Sequence, residues 1–257
     1  MRLRLAIVLI LGVLVASMAN LGLLNLPRMA QGIANVWKFT GSLFPPETSV
    51  LETVLLAMLE TLQIAFVGTV LGAVLALPLS LLATRGLFTT PVTEPVRVLL
   101  AVVRTIPALL WGIIFVIAIG LGPGAGSLGI ALYTLGYLGK LFYETFEGVD
   151  PEVMEGVRSV GCGPAHLASF AVLPEAANNL LAQLLFMYEY NVRSSSIMGF
   201  VGAGGIGYYL LGYIQVLRYD ALMTAILVTL VVVMAIDFIS ARLRSMFWIG
   251  GSTQPTS

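Results

Sequence analysis

Residues 148–174 read GVDPEVMEGVRSVGCGPAHLASFAVLP. No other long interval in the second half of the chain is so clearly unable to lie inside a bilayer. Asp150, Glu152, Glu155 and Arg158 fall close together, between segments that are almost wholly apolar. Asp150 suits an N-cap, and Pro151 suits the first helical position, where a missing N–H costs nothing. Val153, Val157 and Val160 follow at helical spacing, so one side of a short helix is expected to be apolar. Gly161 is placed to end that helix, and Gly163-Pro164 to start another. The helix is too short to span a membrane. It is either an amphipathic element presented to something outside the lipid or a solvated loop helix with no partner.

Composition sets the class. Of 257 residues, 58% are hydrophobic and 10% charged, against roughly 25% charged in an ordinary soluble domain. The chain is therefore expected to be an integral membrane protein, and the helical spans read below make it all-α. Its formal net charge is zero, so nothing points to nucleic acid. Cys162 is the only cysteine, which excludes an intramolecular disulfide and any multi-cysteine metal site. His166, the only histidine, has no partner motif, and no metal or catalytic site is expected.

From the N-terminus, Arg2 and Arg4 precede an apolar run from Leu5 to Leu24. A basic start with an apolar core fits a signal peptide, but about 20 residues is a bilayer-spanning length and favours a retained helix. Residues 25–49 are mixed and read as an outer loop with a short interfacial helix, with Trp37 and Phe39 suited to the membrane boundary. Residues 50–245 form the main transmembrane domain. Within it, an amphipathic lead-in from Val50 precedes a second span over 61–82. A third span is expected over 96–119, with Arg104 and Pro107 inside it. A fourth covers 125–146, a fifth begins near Pro174, and a sixth covers 219–240. The short charged helices occupy about 150–172, and residues 246–257 form a tail.

Six spans put both termini on one side. With the N-terminus inside, Arg2, Arg4, Arg85, Arg97, Arg104, Lys140, Arg158, Arg242 and Arg244 lie at or near the cytoplasmic face. Only Arg28, Lys38 and Arg218 lie near the outer face, and Arg193 sits deeper. That bias is the one expected of cytoplasmic loops, and it places residues 148–174 inside the cell.

Two glycine patterns test for nucleotide sites. Gly202-Ala203-Gly204-Gly205-Ile206-Gly207 satisfies G-x-G-x-x-G, but its flanks are membrane helices rather than a strand and a soluble crossover helix. The glycines Gly202, Gly204, Gly205 and Gly207 instead permit close packing and a non-helical turn at membrane depth. No phosphate-loop pattern occurs, since Gly139-Lys140 is followed by Leu141. Glu189 and Arg193 stand at i, i+4 on the fifth span, with Asn191 and Ser194-Ser195-Ser196 beside them. Ionisable groups at such depth face a bundle interior or an aqueous path. They are either a salt bridge locking helices together or part of a path.

Two sets of residues carry a family resemblance. Glu155-Gly156-Val157, then Gly161, then Leu173-Pro174 resemble the cytoplasmic motif of bacterial ABC importer permeases, although that motif has two alanines after its glutamate. Tyr188-Glu189-Tyr190-Asn191-Val192-Arg193-Ser194, the glycines 199–207, Arg104-Thr105-Ile106-Pro107 and Gly136 to Glu144 resemble phosphonate ABC transporter permeases. The resemblance implies a type I importer fold of six transmembrane helices in the bacterial inner membrane, with both termini cytoplasmic. It implies that Glu155, Gly156, Val157 and Gly161 couple to an ATPase. It implies that Glu189, Asn191, Arg193, Ser194, Ser195 and Ser196 line or gate a translocation path beside the glycine loop. It further implies a second copy of the chain, two cytoplasmic subunits that bind the ATP, and a periplasmic substrate-binding protein. The chain itself would hold no cofactor and catalyse no covalent step. The cargo would be phosphonate or a related small phosphorus oxyanion, with another small solute such as methionine as the alternative. An ATP-independent channel would need no cytoplasmic partner, and an intramembrane enzyme would need a nucleophile and base that the spans lack.

Cys162 provides a direct check of sidedness. A membrane-impermeant maleimide should label it only after cells are opened, and labelling in sealed intact cells would reverse the topology.

Overall fold

Backbone in hydrocarbon must satisfy its own hydrogen bonds, and the residues described here do so with helices and no strand. The structure is a computed structural model and describes residues 2–248. It divides into two units, 1–46 and 47–257.

The first unit holds α1 (Arg2–Asn20) and α2 (Leu26–Ser42). α1 is 19 residues long, about 28 Å at 1.5 Å per residue, and its described apolar side chains are exposed except for half-buried Met18. The expected short interfacial helix is a full 17 residues. It is capped by Asn25, whose side chain accepts a hydrogen bond from the Arg28 N–H at 3.2 Å. Trp37 lies fully open on it.

The second unit begins with a turn of 3₁₀ helix at Thr48–Val50 and continues as α3 (Leu51–Ala83). α3 is one unbroken helix of 33 residues, so the expected division into lead-in and span does not occur. Nothing between Leu51 and Thr61 is Gly or Pro, and the two glutamates there do not interrupt a helix. The expected third span is instead two helices, α4 (Thr90–Thr105) and α5 (Ala108–Ile119), bent by 86°. Pro107 lacks an N–H and pushes Ile106 out of helical geometry, to φ −81° and ψ 120°. The indole N–H of Trp111 donates to the Val103 carbonyl at 3.2 Å, satisfying an acceptor near the break.

α6 (Pro123–Glu147) follows a glycine turn, then α7 (Pro151–Arg158). α8 (Pro164–Leu167) runs through a wider π turn at Ala168–Val172 directly into α9 (Leu173–Met198). The fifth helical rod thus starts ten residues before the expected Pro174, which sits inside it just after the π turn. α10 (Ile206–Gln215) had no counterpart in the sequence reading. α11 begins at Tyr219 and ends at Trp248, past the expected Ser240. Of the expected tail 246–257, residues 249–257 lie outside the described residues.

α6 is the axis. Gly68 and Gly72 on α3 form a G-x-x-x-G pair that receives it. A Cβ on Gly68 would stand 2.9 Å from the Ser127 carbonyl, and one on Gly72 would stand 2.7 Å from the Ala131 carbonyl. On its other sides, Gly129 meets the Gly112 backbone of α5 and Gly136 the Arg104 backbone of α4, each at 2.7 Å from a virtual Cβ. The Arg104 backbone therefore packs near the middle of α6, not at the cytoplasmic face where the charge count put it. Among the described residues, three helical segments are long and apolar enough to cross a membrane, and four if the bent pair is taken as one span. α6 falls outside that number because its small residues serve packing, not lipid.

The α3–α6 seam generates a stability prediction. Gly72→Val should lower the stability of the detergent-solubilised chain by about 1–3 kcal/mol through overpacking. Gly212→Ala, where a Cβ meets nothing within 4 Å, should leave it unchanged or higher. Equal thermal unfolding of the two variants would contradict the seam.

Candidate functional site

α7 is built as its residues dictate. The Asp150 carboxylate accepts from the Glu152 N–H at 2.9 Å, and Pro151 occupies the first turn. Glu152 near the start and Arg158 in the last turn both complement the helix dipole. Gly161 has φ +79°, and a Cβ there would meet nothing within 4 Å, so backbone conformation alone demands glycine. The inner face is not the expected valine stripe. Met154 and Val157 pack against the core that includes Leu87, Phe146 and Val149, while Val153 and Val160 are exposed. Arg158 donates to the Gly86 carbonyl at 3.0 Å, tying α7 to the turn between α3 and α4. That turn is itself fixed: Glu147 at the end of α6 accepts from the Arg85 N–H at 2.8 Å and pairs with Arg97. The outer face of α7, with Glu152, Glu155 and Gly156, is bare.

The glycine-rich break closes on α3. Gly202, Gly204 and Gly205 have φ of +83°, +80° and +73°, which end α9 and turn the chain back into α10. Gly207 differs: its backbone meets the Ser196 carbonyl and Gly199 so closely that no side chain fits. The buried Thr61 hydroxyl accepts from the Ile206 N–H at 2.8 Å, and the Gly122 N–H donates to the Gly202 carbonyl at 2.9 Å. Thr61 lies ten residues into α3, about 15 Å from its start. Beside it opens a cavity of about 340 Å³ lined by Glu60, Gly122, Gly204, Gly205, Tyr208 and Tyr209.

The six polar positions of α9 divide. Glu189 and Arg193 pair at 2.7 Å, as their spacing suggests. Arg193 also takes both oxygens of Asp237 on α11 at 2.8 Å, and Arg244 approaches Glu189 at 3.5 Å. The result is a cluster of two cations and two anions joining α9 to α11. Sequence reading missed Asp237 and Arg244, although an aspartate inside the last apolar segment was a visible signal. Asn191 faces away from this cluster and is fully buried. Its Nδ2 donates to the Thr69 and Thr134 hydroxyls, each at 2.8 Å, while its Oδ1 has no partner. Ser195 bonds to the Thr61 and Val192 carbonyls, and Ser196 to the Val192 carbonyl. Asn191 and Ser195 therefore fasten α9 to its neighbours from within the bundle, Ser196 bonds only within its own helix, and Ser194 is partly exposed.

The model of the family described as "Binding-protein-dependent transport system inner membrane component" matches residues 68–247. A phosphite transport system permease protein of Stutzerimonas stutzeri is 33% identical over 242 residues, covering 94% of this chain and 88% of the relative. A phosphate-import permease protein of Mycolicibacterium smegmatis is 40% identical over 190 residues, covering 74% of this chain and 36% of the relative. Among solved structures, an inward-facing conformation of the MetNI methionine ABC transporter has a TM-score of 0.68 at 22% identity, over 78% of this chain and 99% of that one. At that identity the likeness establishes the fold, which is the expected ABC importer permease fold.

The charge cluster leads to a paired test. Arg193→Gln strands two carboxylates beside one remaining cation, and should lower membrane level and thermal stability. Arg193→Gln with Asp237→Asn restores the balance and should recover much of both. A single variant as stable as the parent chain would show that the cluster does not hold α9 to α11.

Proposed function

We propose a function on the premise that this chain belongs to the binding-protein-dependent transport system inner membrane component family. It is a multi-pass inner-membrane permease subunit of an ATP-driven importer. Its cargo is phosphonate or a related small phosphorus oxyanion, delivered by a periplasmic binding protein and released into the cytoplasm. Relatives named for phosphite and phosphate, covering most of this chain, support that substrate class. Methionine is the weaker alternative, since it rests on a likeness of fold.

One observation carries the coupling role. α7 is anchored on its inner face and bare on its outer face, as an element that receives force from a partner must be. Glu155, Gly156 and exposed Val153 and Val160 provide a small docking face, and Gly161 sets the angle at which α7 leaves the rod of α8 and α9. We assign ATP binding and hydrolysis to two separate cytoplasmic subunits, each meeting one α7. A second copy of this chain completes the pathway, six spans put both termini in the cytoplasm, and the transporter works by alternating access. A push on α7 passes through Arg158 to the α3–α4 turn and along the continuous α8–α9 rod to the Glu189–Arg193 cluster, which acts as a gate latch against α11.

The test uses the assembled transporter. Glu155→Arg should abolish phosphorus-oxyanion uptake at normal membrane levels, because it reverses charge on the docking face without touching the core. Gly161→Val should do likewise, at a backbone cost of about 1–3 kcal/mol confined to an exposed turn. Normal uptake in both variants would remove α7 from the coupling route.

A further inference from the structure

Arg97, Lys140, Arg193 and Arg244 each face a carboxylate. Arg104 does not, and it takes part in none of the ion pairs among the described residues. It is nevertheless deep. Its backbone packs on Gly136, near the middle of α6, at the level where Thr134 meets Asn191. An unpaired guanidinium cannot face hydrocarbon there at tolerable cost, so it must look onto water or onto a passing anion.

Its surroundings have the right chemistry. Tyr133 precedes Gly136 by three residues, so it lies on the face of α6 that meets the Arg104 backbone. The Tyr133 and Tyr190 hydroxyls are 3.4 Å apart with their rings stacked at 5.9 Å, and Tyr137 adjoins them at 6.0 Å. Tyr190 is 40% exposed, so the group is open at the surface of the chain. α5 begins four residues after Arg104, with the positive end of its dipole beside the break. Among the described residues, no carboxylate pairs with Arg104.

We propose that Arg104, with the hydroxyls of Tyr133 and Tyr190, forms an oxyanion-binding station midway across the membrane. This rests on the importer reading above and names the residues that handle its cargo. The planar guanidinium fork takes two oxygens of a phosphite or phosphonate, and a phenol O–H takes a third. A single charge with neutral donors holds an anion long enough to cross and releases it, as a site of transit must. Arg193, already shared between two carboxylates, has no such capacity to spare.

The experiment has two readouts on the assembled transporter in cells lacking their own uptake systems. The first is uptake of phosphite, methylphosphonate and phosphate. Arg104→Gln should reduce it about tenfold or more, the worth of one charge-assisted hydrogen-bonding group, and Arg104→Lys should recover part. Tyr190→Phe should raise KM severalfold and change the maximal rate little. The second readout is labelling of Tyr190→Cys in a Cys162→Ser background by a charged, water-soluble methanethiosulfonate. It should react, and phosphite should slow the reaction unless Arg104→Gln is also present. Full uptake by Arg104→Gln, or no labelling, overturns the station. Labelling unaffected by phosphite, with no uptake of any of the three anions by the unaltered chain, sinks the substrate class as well, and is recognised by that combination.

Discussion

Everything in the second unit depends on how closely α3 and α6 approach. Gly68 and Gly72 leave no room for a Cβ between the two helices. That approach brings the hydroxyls of Thr69 and Thr134 within reach of one amide, and Asn191 of α9 occupies the point between them. Three helices are thus joined at one level by two hydrogen bonds. Each such bond in a membrane contributes on average only about 0.6 kcal/mol. The knot therefore specifies register more than it supplies stability, and the unpartnered Oδ1 reduces its net worth further.

Around that fixed level the backbone departs from helix in two places, and both depend on donors or acceptors supplied from neighbouring residues. At Pro107 the Trp111 indole takes up a carbonyl. At the glycine break the Thr61 hydroxyl takes up the Ile206 N–H and the Gly202 carbonyl receives Gly122. Irregular backbone survives at depth only on such terms. The two breaks also redirect chain: one turns α5 by 86° away from α4, and the other returns the chain as α10. Beside the second lies the cavity lined by Glu60, Tyr208 and Tyr209.

Local features were legible in the sequence and long-range ones were not. The Asp150 cap, the positive φ of Gly161 and the Glu189–Arg193 pair all follow from spacings of a few residues, and all three occur. The α7 stripe was misread because valines at 153 and 160 match helical spacing, yet the core lies on the side of Met154 and Val157. Which face is buried is decided by what it packs on, and the sequence does not state that. Arg104 was assigned to a membrane face because the third span was read as straight. Pro107 was in plain view, but the cost of a proline in a membrane helix can be met by a kink or by a full break, and only the neighbours decide. The G-x-x-x-G of Gly68 and Gly72 was a readable signal that the reading did not use, as was Asp237 in an apolar run.

The distribution of charge separates two roles that the sequence had merged. A cation that must carry an anion across has to be desolvated and uncommitted at once. Around the turn between α3 and α4, Arg85 and Arg97 are committed to Glu94 and Glu147. On α9 and α11, Arg193 lies between two carboxylates and Arg244 approaches one of them, so the cluster is neutral as a whole. A neutral cluster gives little attraction to a dianion, and a dianion entering it would have to displace carboxylates already in place at hydrogen-bond distance. Such a cluster is suited to making and breaking contact between two helices, since either arrangement conserves charge. Arg104 lacks any of these commitments, and the tyrosines beside it add donors without adding negative charge. On the proposed reading, latch and carrier are different residues on different helices. They are connected through α6 and α9, the two helices on which Tyr133, Thr134, Tyr190 and Asn191 lie side by side.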